Sequence, residues 1–331
     1  MNINEIARLA GVSRATVSRY LNKGYVSEEK KERIRKVIEE TGYNPSSQAQ
    51  MLRTKKTKII GVIIPKINSE SISRMVAGIS LVLSKEGYHL LLANTDNNEE
   101  EELKYLNIFK SNQVDGIILI GTIFTKEHKR LLQESKVPVV ILGQRLSGYS
   151  CVYHDDFHAV KELTEFMLPY GKKIGYMGVT KKDEAAGLAR EEGFLAAYRE
   201  AQVGRDDLLE DAVIMESEFT VDSAYENAKA LFEENPKLDT IVCATDTIAV
   251  GILKYLFENG KKVPKDVQIG GIGDSTIVSV LNPKLTTVHY YYKTSGMEAA
   301  NMLLEMLESA EYIRKEIKMG YKLIEHNSTR K

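Results

Sequence analysis

The run Ser13-Arg14-Ala15-Thr16-Val17-Ser18-Arg19-Tyr20-Leu21-Asn22 gathers two guanidinium forks and several short hydroxyls. Guanidinium groups suit phosphates, and small polar side chains suit base edges. To act together these groups must share one face of a helix. Val17 and Leu21, four apart, supply the opposite, apolar face, which leaves Arg14, Ala15, Thr16, Ser18 and Arg19 outward. A preceding segment with Ile6, Ala7, Leu9 and Ala10 at helical spacing gives that helix something to pack on. Gly11 permits the turn between them, and Ser13 is placed to cap the second helix. This is the pattern of a helix-turn-helix, although an ordinary helical hairpin would share it. A third helical pattern opens at Ser27, carries Ile34, Val37 and Ile38 on one stripe, and ends at Gly42. The following stretch, Pro45 to Lys58, is too weakly apolar to hold a helix alone. Its small residues and Met51-Leu52 suit a hinge that folds against a second copy and wedges a leucine into a minor groove; a flexible linker has the same composition.

Charge is distributed to match. The 331 residues carry 45 Lys plus Arg against 46 Asp plus Glu, yet residues 1–58 alone hold 13 basic and 6 acidic side chains. A basic head on an acidic body orients binding to a polyanion, with a steep salt dependence. With 43% apolar residues, the chain has enough core for two to three folding units. Cys151 and Cys243 lie far apart in apolar runs, as expected of buried free thiols in a reducing cytoplasm. No apolar run approaches 18 residues, so a membrane span is not expected.

From Ile59 onward, short apolar runs alternate with amphipathic segments: 59–64, 90–93, 116–120, 137–142, 174–179, 240–244 and 267–272. Runs apolar on both faces imply parallel strands covered by helices, and their number exceeds one comfortable sheet. The expectation is two α/β lobes, with 285–288 as a crossing strand. Ligands in such sheets bind beyond the carboxyl ends of the strands. Lys66, Asn68, Ser69 and Ser71 follow the first strand and precede a helix N-terminus, a natural anion site. Asp246 follows another strand.

Together, Ala7-Arg8-Leu9-Ala10-Gly11-Val12-Ser13, Ala15-Thr16-Val17-Ser18-Arg19 and the stretch from Gly42-Tyr43-Asn44-Pro45 to Leu52 resemble the lactose-repressor and galactose-repressor family of bacterial transcription regulators. The resemblance spans essentially the whole chain. It implies an all-α helix-turn-helix headpiece (1–44), a hinge (45–58), and a two-lobed, periplasmic-binding-protein-like α/β core of parallel sheets for effector binding and dimerisation (59–331). The lobes would comprise about 59–157 with 289–317, and 158–288 with 318–331. It implies operator selection by Arg14 and Ala15, further DNA contacts from Thr16, Ser18, Arg19 and Asn22, and an intercalating role for Leu52. In the cleft it implies an effector-clamping Arg190, with Phe219, Tyr290 and Tyr292 against the ligand. The chain departs from the family after the strand at 267–272, where a carboxylate commonly grips the effector: here Gly273 stands, followed by Asp274, which either substitutes as an effector ligand or serves only the turn. With Ile67-Asn68-Ser69-Glu70-Ser71 and Tyr153-His154-Asp155-Asp156, this departure is most similar to the trehalose-operon repressor branch, with sucrose-operon repressors next. The implied effector is a phosphorylated disaccharide, with Lys66, Arg74 and Arg190 as phosphate candidates. The implied partners are operator DNA and a second copy of the chain. Whether the effector induces or corepresses stays open, as do a purine-type, corepressor-dependent arrangement with a non-sugar ligand and a sugar-binding role without an operator.

Enzyme readings find no support in motifs. The chain lacks a G-x-x-x-x-G-K-[ST] loop and a G-x-S-x-G elbow, and Gly271-Ile272-Gly273-Asp274 lacks the third glycine of a dinucleotide site. His154 and His158 straddle a strand end and a helix start, so a shared metal is not expected, nor is any cofactor. Asp155 and Asp156 read as a helix cap that also reaches the cleft. The acids of Asn97-Asn98-Glu99-Glu100-Glu101-Glu102 suit the first turn of a solvated helix.

Overall fold

The computed structural model describes residues 1–22, 24–43, 56–111, 114–203, 211–309 and 311–331. It divides into two compact units, Met1–Thr57 and Lys58–Lys331. Leu52 and the surrounding 44–55 lie outside the described residues.

The first unit holds α1 (Ile3–Leu9), α2 (Arg14–Leu21) and α3 (Glu28–Thr41). Asn2 caps α1 reciprocally with Glu5, which satisfies orphan N–H groups at its start. Gly11 takes a φ of +59° in the turn, and Ser13 Oγ accepts from the Thr16 amide at 3.2 Å, capping α2. Gly42, with φ +62°, ends α3 in the left-handed conformation. The core is small: Ile6, Ala7, Ala10, Val17 and Ile34 are buried, flanked by Val12, Tyr20, Leu21, Val37 and Ile38. Burying each large aliphatic side chain contributes about 1.5–3 kcal/mol, so Ile6, Val17 and Ile34 carry most of it. Leu9, expected on the inner face, is instead 52% exposed. Ile6 and Ala10 point inward one turn apart, and Leu9 falls on a flank outside the three-helix core.

The second unit contains two six-stranded sheets. The first has the order β11-β5-β4-β3-β1-β2, where β1 is Ile59–Ile64, β2 His89–Asn94, β3 Gly116–Leu119, β4 Val139–Gly143, β5 Ser150–His154 and β11 Glu316–Met319. All its pairings are parallel. The second runs β12-β10-β9-β8-β6-β7, where β6 is Ile174–Gly178, β7 Val213–Glu216, β8 Thr240–Cys243, β9 Gln268–Ile272, β10 Thr286–Tyr290 and β12 Tyr321–Ile324. Only the β10–β12 pairing is antiparallel. The run at 285–288 does not itself pass between the lobes: Thr286 to Val288 lie inside the second sheet as part of β10, directly after Leu285, and the crossing follows Tyr290. The chain also crosses after His154 and after Met319, two residues beyond the 317 expected for the first lobe. The run 90–93 forms an edge strand with Leu91 largely exposed, rather than one covered on both faces.

Helices cover the sheets: α4 (Glu70–Lys85), α5 (Glu99–Phe109), α6 (Lys126–Gln133) and α11 (Tyr292–Glu308) belong to the first lobe. The second has α7 (Asp156–Met167), α8 (Arg190–Gln202), α9 (Val221–Glu234) and α10 (Asp246–Glu258). α4 and α11 pack backbone to backbone, since a Cβ on Gly78 would lie 2.0 Å from the Lys293 carbonyl and one on Gly296 2.0 Å from that of Met75. Glu102 does not join Glu99, Glu100 and Glu101 in solvent: it is buried, its carboxylate 3.2 Å from His128 Nε2 on α6. The end of the chain is stitched into the second sheet. Ser328 Oγ donates to the Ile269 carbonyl at 2.6 Å, and the Arg330 guanidinium reaches the Tyr170 carbonyl at 2.6 Å and Asp239 at 3.2 Å.

Candidate nucleic-acid interface and effector cavity

On α2, Arg14, Ala15 and Arg19 are exposed, while Thr16 and Ser18 are half-buried. The Thr16 hydroxyl lies 2.9 Å from Ser13 Oγ, so it helps fix the helix start as well as facing outward. Asn22 ends α2 with its side-chain amide turned back to the Ser18 carbonyl.

A cavity of about 450 Å³ lies between the two sheets. Its walls include Lys66, Asn68, Ser69, Ser71, Arg74, Arg190, Phe219, Asp246 and Tyr292, nine of the expected residues. β1 ends at Ile64, and the turn after it delivers Lys66 and Asn68 to the N-terminus of α4. Ser69 and Ser71 sit there with their hydroxyls 3.0 Å apart, and Ser69 makes no capping bond with its side chain. Arg74, one turn on, is bound by Glu70 at 2.5 Å and donates to the Asp274 carbonyl of the other lobe at 3.0 Å. Glu70 also accepts from the Thr276 amide at 3.0 Å and its hydroxyl at 2.6 Å. Burial opposes the Glu70 charge, but those Thr276 bonds and Arg74 outweigh it and hold its pKa below the usual range.

The opposite wall is deeper. A π-helical turn over Glu184–Ala189 brings Arg190 round to the cavity, where it is 7% exposed. Its Nε donates to Asp156 at 2.7 Å, its Nη1 to the Ala244 carbonyl at 2.6 Å, and its guanidinium carbon lies 5.5 Å from the centre of the Tyr290 ring. Burial works against this charge; Asp156, followed by Tyr290 and Tyr292, more than offsets it, and the group stays protonated well above its ordinary range. Asp246 opens α10 and accepts from Thr287 Oγ1 at 2.5 Å and the Ser275 amide at 2.8 Å; burial raises its pKa. Asp183, at the end of the loop after β6, accepts from the Ala185 and Ala186 amides and, across the lobes, from Gln144 at 3.2 Å. Burial pushes its pKa up to about 6.

Two expected residues stand apart from the cavity surface. Tyr290 is fully buried behind it, its hydroxyl donating to Asp156 at 3.1 Å, because the last β10 side chain points into the interlobe core. Asp274, at a φ of +46°, turns its carboxylate to His289 at 2.8 Å and so presents only backbone toward Arg74. Asp156 reaches the cavity, and Gln144, His154 and Asp183, which the sequence does not mark as ligands, line it as well. Gln144 directly follows β4 and Asp183 lies in the loop after β6, so applying the strand-end rule to every strand would have found both. His158 faces Asp155 at 2.8 Å, whereas His154 packs between Tyr290 and Tyr292. No group of three metal-ligating side chains occurs among the described residues.

A basic helix-turn-helix unit followed by a two-lobed body with a polar cleft defines a ligand-responsive DNA-binding protein. Residues 2–46 match the family described as bacterial regulatory proteins, lacI family, and residues 171–329 match a periplasmic binding protein-like domain. The chain is 33% identical to the sucrose operon repressor of Staphylococcus xylosus, over 93% of this chain and 94% of that one. It is 32% identical to the HTH-type transcriptional regulator RegA of Clostridium saccharobutylicum, over 99% of each. The lac repressor dimer bound to operator and the anti-inducer ONPF shares the fold, with a TM-score of 0.89 over 99% of both chains at 19% identity. The chain belongs to the lacI family: it is a DNA-binding transcription regulator, not an enzyme. No helix among the described residues is long and apolar enough to cross a membrane.

Proposed function

We propose that this regulator is a cytoplasmic homodimeric repressor of a sugar-utilisation operon, released from its operator by a phosphorylated disaccharide: trehalose 6-phosphate first, sucrose 6-phosphate second. The observation that carries the reading is the composition of the cleft. Lys66, Ser69, Ser71 and the N-terminus of α4 form an anion-suited end, while Arg190, Asp156, Asp183 and Asp246 offer paired donors and acceptors for sugar hydroxyls. The cavity falls within the range of about 300–1,000 Å³ usual for small-molecule sites. Kinship with a sucrose operon repressor supports a disaccharide.

In this reading, Arg14, Ala15, Thr16, Ser18, Arg19 and Asn22 contact the operator and Leu52 wedges its centre. Glu70 and Arg74 on one lobe grip Thr276 and Asp274 on the other, and Gln144 grips Asp183, so lobe closure has defined contacts for a ligand to favour or oppose. An effector moves the DNA equilibrium only by binding one lobe arrangement more tightly than the other.

One observation favours a neutral sugar as a second reading. Arg74 and Arg190 both already hold carboxylates, and Lys66 is the one cation lining the cavity without such a partner among the described residues. The deciding experiment is binding to DNA upstream of the gene and its neighbours, titrated with trehalose 6-phosphate, sucrose 6-phosphate and the free sugars. Release by one phosphorylated disaccharide is expected. Release by a free sugar alone replaces it with the second reading, and tighter binding on adding ligand would mean corepression. Ligand binding without any specific operator complex would leave only a sugar-binding protein.

A further inference from the structure

Buried polar atoms in native structures almost always have hydrogen-bond partners, so each exception at a cavity wall asks what completes it. Two cavity-lining side-chain atoms are buried without a partner among the described residues, His154 Nε2 and Ser275 Oγ. The serine is a freely rotating hydroxyl beside the Asp246 carboxylate. The imidazole has no such freedom. Its ring is held between Tyr290, 4.9 Å away between centroids, and Tyr292, 5.1 Å away and nearly perpendicular. His154 is 6% exposed, and it stands where the main cavity backs onto a smaller one of about 220 Å³ that shares Gly143, Gln144 and Asp156 with it. Burial drives its pKa down to about 4, with Asp156 opposing, so the ring is neutral at physiological pH. A neutral imidazole offers one donor nitrogen and one acceptor nitrogen, a match for an uncharged hydroxyl rather than for a phosphate.

We infer that His154 reads a sugar hydroxyl of the effector: its Nε2, shut off from the cavity in this lobe arrangement, comes within reach as the lobes shift and makes the hydrogen bond that the protein leaves open. The inference rests on the cleft being the effector site, as proposed above. It divides the labour within one ligand: the phosphate belongs to Lys66 and the start of α4, and the hydroxyl to His154. Position adds a second consequence. His154 is the last residue of β5, where the chain leaves the first sheet, while Tyr290 and Tyr292 flank the crossing between β10 and α11. A hydroxyl held by His154 is therefore held at two of the three interlobe crossings.

The test is His154→Phe in the full chain, which keeps a ring between the tyrosines and removes the nitrogen. Melting temperature is measured alongside calorimetric binding of trehalose, sucrose, maltose, cellobiose and the 6-phosphates of trehalose and sucrose. The expected result is an unchanged or raised melting temperature with binding of the tightest wild-type ligand weakened about tenfold or more, the loss of one hydrogen bond. A fall of several degrees would make His154 a packing residue and overturn the inference. So would ligand affinity within about twofold of wild type, in which case the effector reading stands and this one alone fails. If the wild-type protein binds none of these sugars, the effector reading fails and takes this inference with it.

Discussion

The two lobes meet at one cavity but furnish it in opposite ways. The first contributes Lys66, Asn68, Ser69, Ser71 and Arg74 from one stretch between β1 and the start of α4, all half-buried or exposed, and adds two buried polar groups, Gln144 and His154, at the ends of β4 and β5. The second contributes Asp156, Asp183, Arg190 and Asp246 from four separate elements, all buried and bound to each other or to backbone. Removing paired charges from water costs several kcal/mol per ion, and apolar packing of similar volume is often as stable, so stability does not account for the second wall. Preorganised groups there meet a ligand without rearranging, whereas the first wall is free to adjust as the lobes approach. Fixed charged groups are thereby concentrated on one side and adjustable ones on the other.

That contrast predicts unequal responses to mutation. Arg190→Ala leaves Asp156 buried without its cation, which should lower stability by about 3–5 kcal/mol as well as abolish the effector response. Chemical denaturation and operator-release assays would show this, and a near-wild-type response would dissolve the difference between the walls. Asp183→Asn addresses the same wall through pH. Because burial raises the folded-state pKa to about 6, above the unfolded value near 3.9, the folded protein holds the proton more tightly. Stability from this group is full below the unfolded pKa and is lost as pH rises through about 6. The variant should therefore be more stable than wild type at pH 7, by on the order of 2–3 kcal/mol, and should lose that slope between pH 4 and 6. A parallel pH profile would refute the assignment. Lys66→Ala, on the adjustable wall, should change stability by less than about 0.5 kcal/mol. Its expected effect, read by calorimetry, is about a tenfold loss of preference for a phosphorylated over a free disaccharide.

The sequence pattern carried the fold further than it carried the site. Paired lobes were legible because doubly buried strands must be apolar throughout, as in Ile59–Ile64 and Val139–Gly143. β7, β11 and β12 are not legible because short edge strands with alternating exposure, such as Glu316–Met319, carry no such run. Leu9 misled because periodicity marks an apolar residue without saying which flank finds a partner. Local strand ends exposed Lys66, Ser69 and Asp246. The reach of Asp156 into the cleft is legible, but its pairing with Arg190 is not, because that partner lies 34 residues away and is turned inward only by the π-helical turn before α8. No local spacing records that meeting. Tyr290 shows the reverse: an aromatic at a strand end was placed on the ligand, yet it supports Asp156 from behind.

The stitching of Ser328 and Arg330 into the second sheet sets an order of events during synthesis. The headpiece core is contiguous, from Ile6 to Ile34, while the second lobe lacks part of its sheet until residues 321–330 emerge. At roughly 5–20 residues per second, that interval lasts on the order of tens of seconds. A nascent chain thus displays its basic headpiece before the ligand-binding body behind it is complete.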